Sequence, residues 1–142
     1  MFLGEFQHAL DDKGRVTLPR RFRDDFLEGA VIAKALDGCL AVYTNAEWER
    51  VANEAVAHSR GGTREREAAR SFFAGAVEVT PDRQGRIPTA ASQRAYAGLD
   101  KDVVVAGVYS RVEIWDSLRW NERHARGENA LANAQDLPDF GI

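Results

Sequence analysis

At 142 residues, with 44% apolar and 29% charged side chains, the chain suits one compact domain or two small halves sharing a core. A net charge of −3 excludes a uniformly basic nucleic-acid coat. It leaves room for a local basic patch, because charges are felt over only about 8 Å at physiological salt.

The N-terminal stretch MFLGEFQHALDDKGR carries acids at Glu5, Asp11 and Asp12 and no early basic cluster, unlike a secretory signal. Apolar runs such as AVIA (30–33) and VVVAGV (103–108) are too short to cross a bilayer. Cys39 is the single cysteine, so no intrachain disulfide can form. A cytoplasmic protein is expected. The alternating segment 5–10 predicts a strand, residues 11–14 a Gly-containing turn, and a second strand starts near Arg15, together reading as a β-hairpin. Pro19 suits the first turn of a helix over about 20–26. Residues 31–35 and 40–43 predict a second hairpin around Asp37-Gly38. Thr44-x-x-Glu47 is a capping box for a helix whose Trp48, Val51, Ala52 and Ala55 share one face. Gly61-Gly62 breaks that helix, and Thr63 is expected to cap another, in which Phe72 and Phe73 are not expected both to point inward.

The same series then returns: a strand at 77–80, a turn at 82–85, a strand from Arg86, a helix near 91–97, and a hairpin whose turn lies near 109–111. Asp116 caps a last helix carrying Leu118 and Trp120, expected to end near Arg126. The return is visible residue by residue. Asp11, Gly14, Arg15 and Val16 fall on Asp82, Gly85, Arg86 and Ile87, and 31–48 falls on 103–120 with one residue of slippage. Such an ordered series is an internal duplication. The expected organisation is a first repeat with its helix (1–60), a connecting helix (61–76), a second repeat (77–126) and a flexible tail (127–142). Four short strands cannot close a core, whereas eight from two copies can. The expected fold is therefore α+β and mostly β, a small pseudo-dimeric barrel with peripheral helices.

The string KGRVTLPRRFR, 13–23, has five cations and no acid. A tight hairpin tip projects such side chains from a rigid base, and arginine can fork onto a guanine edge or a phosphate. Lys13, Arg15, Arg20, Arg21, Arg83 and Arg86 are the candidate DNA-binding residues. Gly14 and Gly85 let the turns reach positive φ. Asp11 and Asp82 read as anchors that accept turn hydrogen bonds or orient an arginine, since a free carboxylate would repel phosphate.

On these residues, MFLGEFQHALDDKGRVTLPRRFRDDF resembles the N-terminal half of the MraZ family, and YAGLDKDVVVAGVYSRVEIWDSLRW its C-terminal half. The resemblance runs from Met1 to about Arg126. It implies a tandem of SpoVT/AbrB-type swapped-hairpin repeats. It further implies a nucleoid-associated transcriptional regulator of the division and cell-wall gene cluster, binding direct repeats in double-stranded DNA and assembling as a homo-oligomeric ring. The motif arginines, here Arg15 and Arg86, are by resemblance the DNA-contacting ones. One departure stands out: Pro88 comes early and Ala90 occupies the place matching Pro19, which leaves open a shorter or differently tilted second hairpin.

Other residues point away from chemistry. His8, His58 and His124 lack partners at metal-ligand spacing. Cys39 reads as a small core residue, and Trp48, Trp115 and Trp120 as core or subunit contacts. No nucleophile–base pair, metal set or phosphate-cradling loop is present, so no enzyme activity and no cofactor are expected. The competing reading is a self-assembling scaffold whose hairpin tips bind acidic proteins.

Overall fold

The structure, a computed structural model, describes residues 1–133 and 139–141. Its elements in chain order are β1 (Phe2–Ala9), β2 (Arg15–Thr17), a 3-10 segment (Arg20–Phe26), β3 (Ala30–Lys34) and β4 (Leu40–Tyr43), followed by α1 (Asn45–His58) and α2 (Thr63–Ala74). The second copy supplies β5 (Val77–Val79), β6 (Arg86–Pro88), α3 (Ala91–Ala97), β7 (Asp102–Tyr109), β8 (Val112–Asp116) and α4 (Ser117–Ala132). The fold is α+β, every strand pairing among the described residues is antiparallel, and the duplication is its architecture.

Six strands form one sheet in the order β1-β7-β8-β4-β3-β5, and β2 and β6 form a separate two-stranded ribbon. The hairpin expected within each copy is thus exchanged between copies. β1 of the first copy lies along β7 of the second, from Phe2 opposite Tyr109 to Ala9 opposite Asp102. β5 of the second lies along β3 of the first. Gly14 N–H closes the turn onto Asp11 O at 2.9 Å, but Arg15 N–H goes to the Asp11 carboxylate at 2.9 Å instead of a β1 carbonyl. Asp11 N–H still donates to Arg15 O at 3.1 Å, so the in-copy ladder ends after that one bond, and β2 pairs with β6 instead.

The second hairpin of each copy forms as expected. β3 pairs with β4 around a turn in which Asp37 and Gly38 both have positive φ, 67° and 80°. These strands and β7 are apolar without alternation because both faces are covered: Ile32, Leu40, Val42, Val103 and Val105 enter the main core, while Ala33, Ala41 and Tyr43 meet the helices. The two copies meet at β4–β8, where Leu40 faces Ile114 and Val42 faces Val112.

Helix boundaries follow the caps. Thr44 accepts from Glu47 N–H at 3.2 Å and Asp116 from Arg119 N–H at 3.0 Å. Thr63 is the first residue of α2 and not its cap; its hydroxyl accepts from the Arg66 guanidinium. Phe72 and Phe73 both pack on Trp48, one stacked at 5.3 Å and one edge-on at 5.9 Å, because the indole is wide enough to be met from two directions. α4 continues six residues beyond Arg126, so the part of the tail from 127 to 132 is helical. The rest of that expected tail falls largely on 134–138 and 142, outside the described residues.

The pseudo-symmetry is broken inside the core. Phe22 is buried between Phe2 and Phe6, each edge-on at 5.4 Å. Its counterpart is Gln93, fully buried and fully bonded. Gln93 Oε1 accepts from Ala90 N–H, and its Nε2 donates to Ile32 O and Gly75 O, each at 3.0 Å. A buried amide is tolerated where every polar atom has a partner.

Candidate nucleic-acid interface

The two Asp-x-x-Gly-Arg turns superimpose in their bonding. Asp11 Oδ1 accepts from Lys13 N–H and Arg15 N–H, both at 2.9 Å, and Oδ2 accepts from Arg15 Nε at 2.6 Å. Asp82 does the same for Gln84 N–H, Arg86 N–H and Arg86 Nε, at 2.9, 2.9 and 2.7 Å. Gly14 and Gly85 have φ of 71° and 77°, a conformation costly for any residue with a Cβ. Each arginine thus spends only Nε on its own aspartate. The two Nη groups at the end of each side chain make no hydrogen bond within the chain among the described residues, and they form a fork available to an outside acceptor.

The Asp11 carboxyl is held below its ordinary value of 3.8, first by the Arg15 backbone N–H and then by the Arg15 side chain. Asp82 is held below it in the same way by Arg86. Both folded values are depressed, so the stability these turns contribute is present above pH 3.8 and lost as pH falls through the folded values. Carboxyl NMR titration is expected to place both midpoints below 3.8; a midpoint at or above it would contradict the turn geometry.

The ribbon decides how the two forks are presented. Arg15 pairs with Pro88, Val16 with Ile87 and Thr17 with Arg86. Strand alternation puts Val16 and Ile87 inward, where both are fully buried, and Arg15, Thr17, Arg86 and Pro88 together on the outer face. Arg15 and Arg86 are diagonal neighbours there, related by a pseudo-two-fold axis through the Val16–Ile87 pair. The bonds flanking this register are Thr89 N–H to Gly14 O at 3.1 Å and Leu18 N–H to Gly85 O at 2.8 Å. Hydrogen-bonded and non-bonded pairs alternate in an antiparallel ladder, so the Arg15–Pro88 pair is a non-bonded one. Pro88 consequently removes no ladder donor, and β6 is as long as β2. The open alternative of a shortened second hairpin is closed: Arg86 sits as Arg15 does.

Two further arginines hold the turns, and their role was not read from the sequence. Arg23 donates from Nε to Leu18 O at 2.9 Å, and its guanidinium lies where a Cβ on Gly85 would collide with it. Arg94 donates to Thr89 O and covers Gly14 in the same manner. Each belongs to one copy and braces the glycine of the other. The available signal was the same 71-residue offset, which carries Arg23 onto Arg94 as it carries Arg15 onto Arg86.

The remaining candidates are dispersed. Lys13 and Arg83 are exposed at opposite tips. Arg20 and Arg21 line a groove of about 510 Å³ with Phe6, His8 and Pro19, and the Arg21 guanidinium lies 5.6 Å over the Phe6 ring. Burial, followed by the nearby Arg23 charge, lowers the His8 pKa. No group of three or more His, Cys, Asp or Glu capable of holding a metal occurs among the described residues. No helix among them is long and apolar enough to cross a membrane. Cys39 is buried in the core, and burial pushes its thiol pKa up.

Comparison with known proteins agrees with this duplicated architecture. The family model described as "MraZ protein, putative antitoxin-like" matches residues 1–70 and 72–137. A protein of Syntrophomonas wolfei subsp. wolfei named "Transcriptional regulator MraZ" is 41% identical over 145 residues, covering all of both chains. One of the same name from Lachnoclostridium phytofermentans is 40% identical over 142 residues, covering all of this chain and 99% of the other. With its whole length matched and both motifs built alike, the chain belongs to the MraZ family.

Proposed function

We propose that the chain is a sequence-specific DNA-binding transcriptional regulator without enzymatic activity, working in the cytoplasm on the nucleoid. The observation that carries this is the ribbon: two aspartate-anchored arginine forks on one outer face, related by a pseudo-two-fold. A B-form major groove about 12 Å wide admits a two-stranded ribbon, and an arginine fork matches guanine O6 and N7. The anchoring aspartates fix both forks before DNA arrives, which lowers the ordering cost of binding. The relatives' printed name supports the regulatory reading. The resemblance supports its finer parts, namely direct repeats upstream of the division and cell-wall gene cluster, read by a ring of copies. In such a ring, linking several weak ribbon contacts raises avidity by about 10²–10⁴.

The test is selection of duplexes from a random library, then fluorescence anisotropy of the selected site against its scrambled version over a salt titration. A preference of about 10³ or more at physiological salt is expected. Equal affinity for both duplexes would overturn the regulator reading and favour a scaffold whose tips engage acidic proteins.

A further inference from the structure

The run of cations from Lys13 to Arg23 is contiguous in sequence but divided in space. β2 carries the chain from one end of the ribbon to the other, so Gly14 bonds Thr89 at one end and Leu18 bonds Gly85 at the other. Four residues of strand span about 13 Å. Lys13 therefore stands at the first-copy tip, while Arg20 and Arg21, directly after Leu18 and Pro19, flank the tip of the second copy. The brace from Arg23 to Gly85 places the same segment there independently.

The counterparts at the other end are not basic. At the 71-residue offset, Arg20 and Arg21 correspond to Ala91 and Ser92, the first residues of α3, which flank the first-copy tip. The tips differ in the same direction. Next to its motif pair, the first tip has Asp12 and Lys13, whose charges cancel; the second has Arg83 and the neutral Gln84. The groove at the second end is lined by Phe6, His8, Pro19, Arg20 and Arg21 and by no acid. Asp24 and Asp25 lie further along the 3-10 segment, Asp24 about 6 Å from Arg21 at roughly 2 Å per residue, and neither lines the groove. A face that is two-fold in its forks carries the Arg20–Arg21 pair at one end only, while Lys101, beside Leu10 at the other end, is flanked by Asp100 and Asp102.

We propose that this one-sidedness orients the protein on DNA. Arg20 and Arg21, with Arg83, clamp duplex phosphates at the second-copy end, so that each ribbon sits on its site in one direction instead of two. The inference rests on the DNA-binding reading and adds polarity to it. Phosphate contacts set register and orientation while carrying no base information, which is the role these cations, in no ion pair among the described residues, can fill beside the two forks.

Tethered cleavage tests it. An iron chelate is attached through Glu28→Cys, beside the base of the second tip, or through Asp100→Cys, its counterpart beside the first. Both positions are exposed, whereas Cys39 is buried and out of reach. On an end-labelled duplex carrying one selected site, the two chelates are expected to cut opposite flanks, each with about a tenfold preference. Arg20→Ala/Arg21→Ser, which copies the other shoulder, is expected to bring the ratio close to one. It also lowers the slope of log affinity against log salt by about 2, near 1 for each phosphate no longer neutralised. Arg20→Lys/Arg21→Lys is expected to keep the polarity, since phosphate accepts a point charge, and so separates charge loss from misfolding. Equal cutting of both flanks by the parent protein, or full polarity in the Ala/Ser variant, would overturn the inference while leaving DNA binding intact. Cutting no stronger than on a scrambled duplex would overturn the DNA reading and this inference with it.

Discussion

Arg15→Ala and Arg86→Ala are each expected to weaken binding to a selected site by about 5- to 150-fold, the worth of one bidentate base contact at 1–3 kcal/mol. The two losses should be of similar size, because the two forks are built alike. Each guanidinium is held by Nε on its own aspartate, at 2.6 and 2.7 Å, and both stand on one face of the ribbon. Pro88 does not weaken the second fork, since it occupies a pair that uses no donor from it. Each alanine variant also leaves a carboxylate without its guanidinium close to phosphate. Asp11→Ala/Arg15→Ala is therefore expected to recover part of the loss seen in Arg15→Ala alone, a coupling that a double-mutant cycle measures. Anisotropy on the selected duplex, at one fixed salt concentration, is the readout. If Arg86→Ala binds like the parent, the two forks are not equivalent and the symmetric reading of the ribbon fails.

Phe22→Ala is expected to cost about 3–5 kcal/mol, the usual range for removing a fully buried phenyl ring. Phe22 is 1% exposed and touches Phe2 and Phe6 edge-on, while Phe2 in turn stacks on Phe26 at 5.1 Å. These four rings fasten β1 and the 3-10 segment to the core. A single short 3-10 segment has poor hydrogen-bond geometry of its own, so its position depends on that packing. Urea denaturation should show a lower midpoint at unchanged slope. The loss is a fifth or more of a typical domain's stability of about 5–15 kcal/mol. The DNA face should feel it too, because Arg23 follows Phe22 directly and braces Gly85. A variant losing under about 1 kcal/mol would mean that the aromatic cluster is not what holds this segment.

Several features of this protein were legible in the order of its residues. The 71-residue offset exposed the duplication. Asp-Gly at 37–38 announced its hairpin through a turn that needs positive φ, and Thr44 and Asp116 announced their helices through side chains able to cap backbone N–H groups. The aspartate anchors were legible for the same reason: each satisfies donors within four residues, and such local bonds leave a mark on a short stretch of sequence. Strand partners leave no such mark. Whether β2 pairs with β1 or with β6 is not written in its three residues, which carry too little pattern to say. Only the tertiary pairing put Val16 against Ile87, brought Arg15 and Arg86 onto one face and placed Pro88 where it is harmless. It also divided one basic run between the two ends of a ribbon and turned Arg23 and Arg94 into braces for the opposite copy. Local hydrogen bonds and patterning therefore determined the units, while the choice of partner belonged to the buried core, where one exchange of strands satisfies both copies at once.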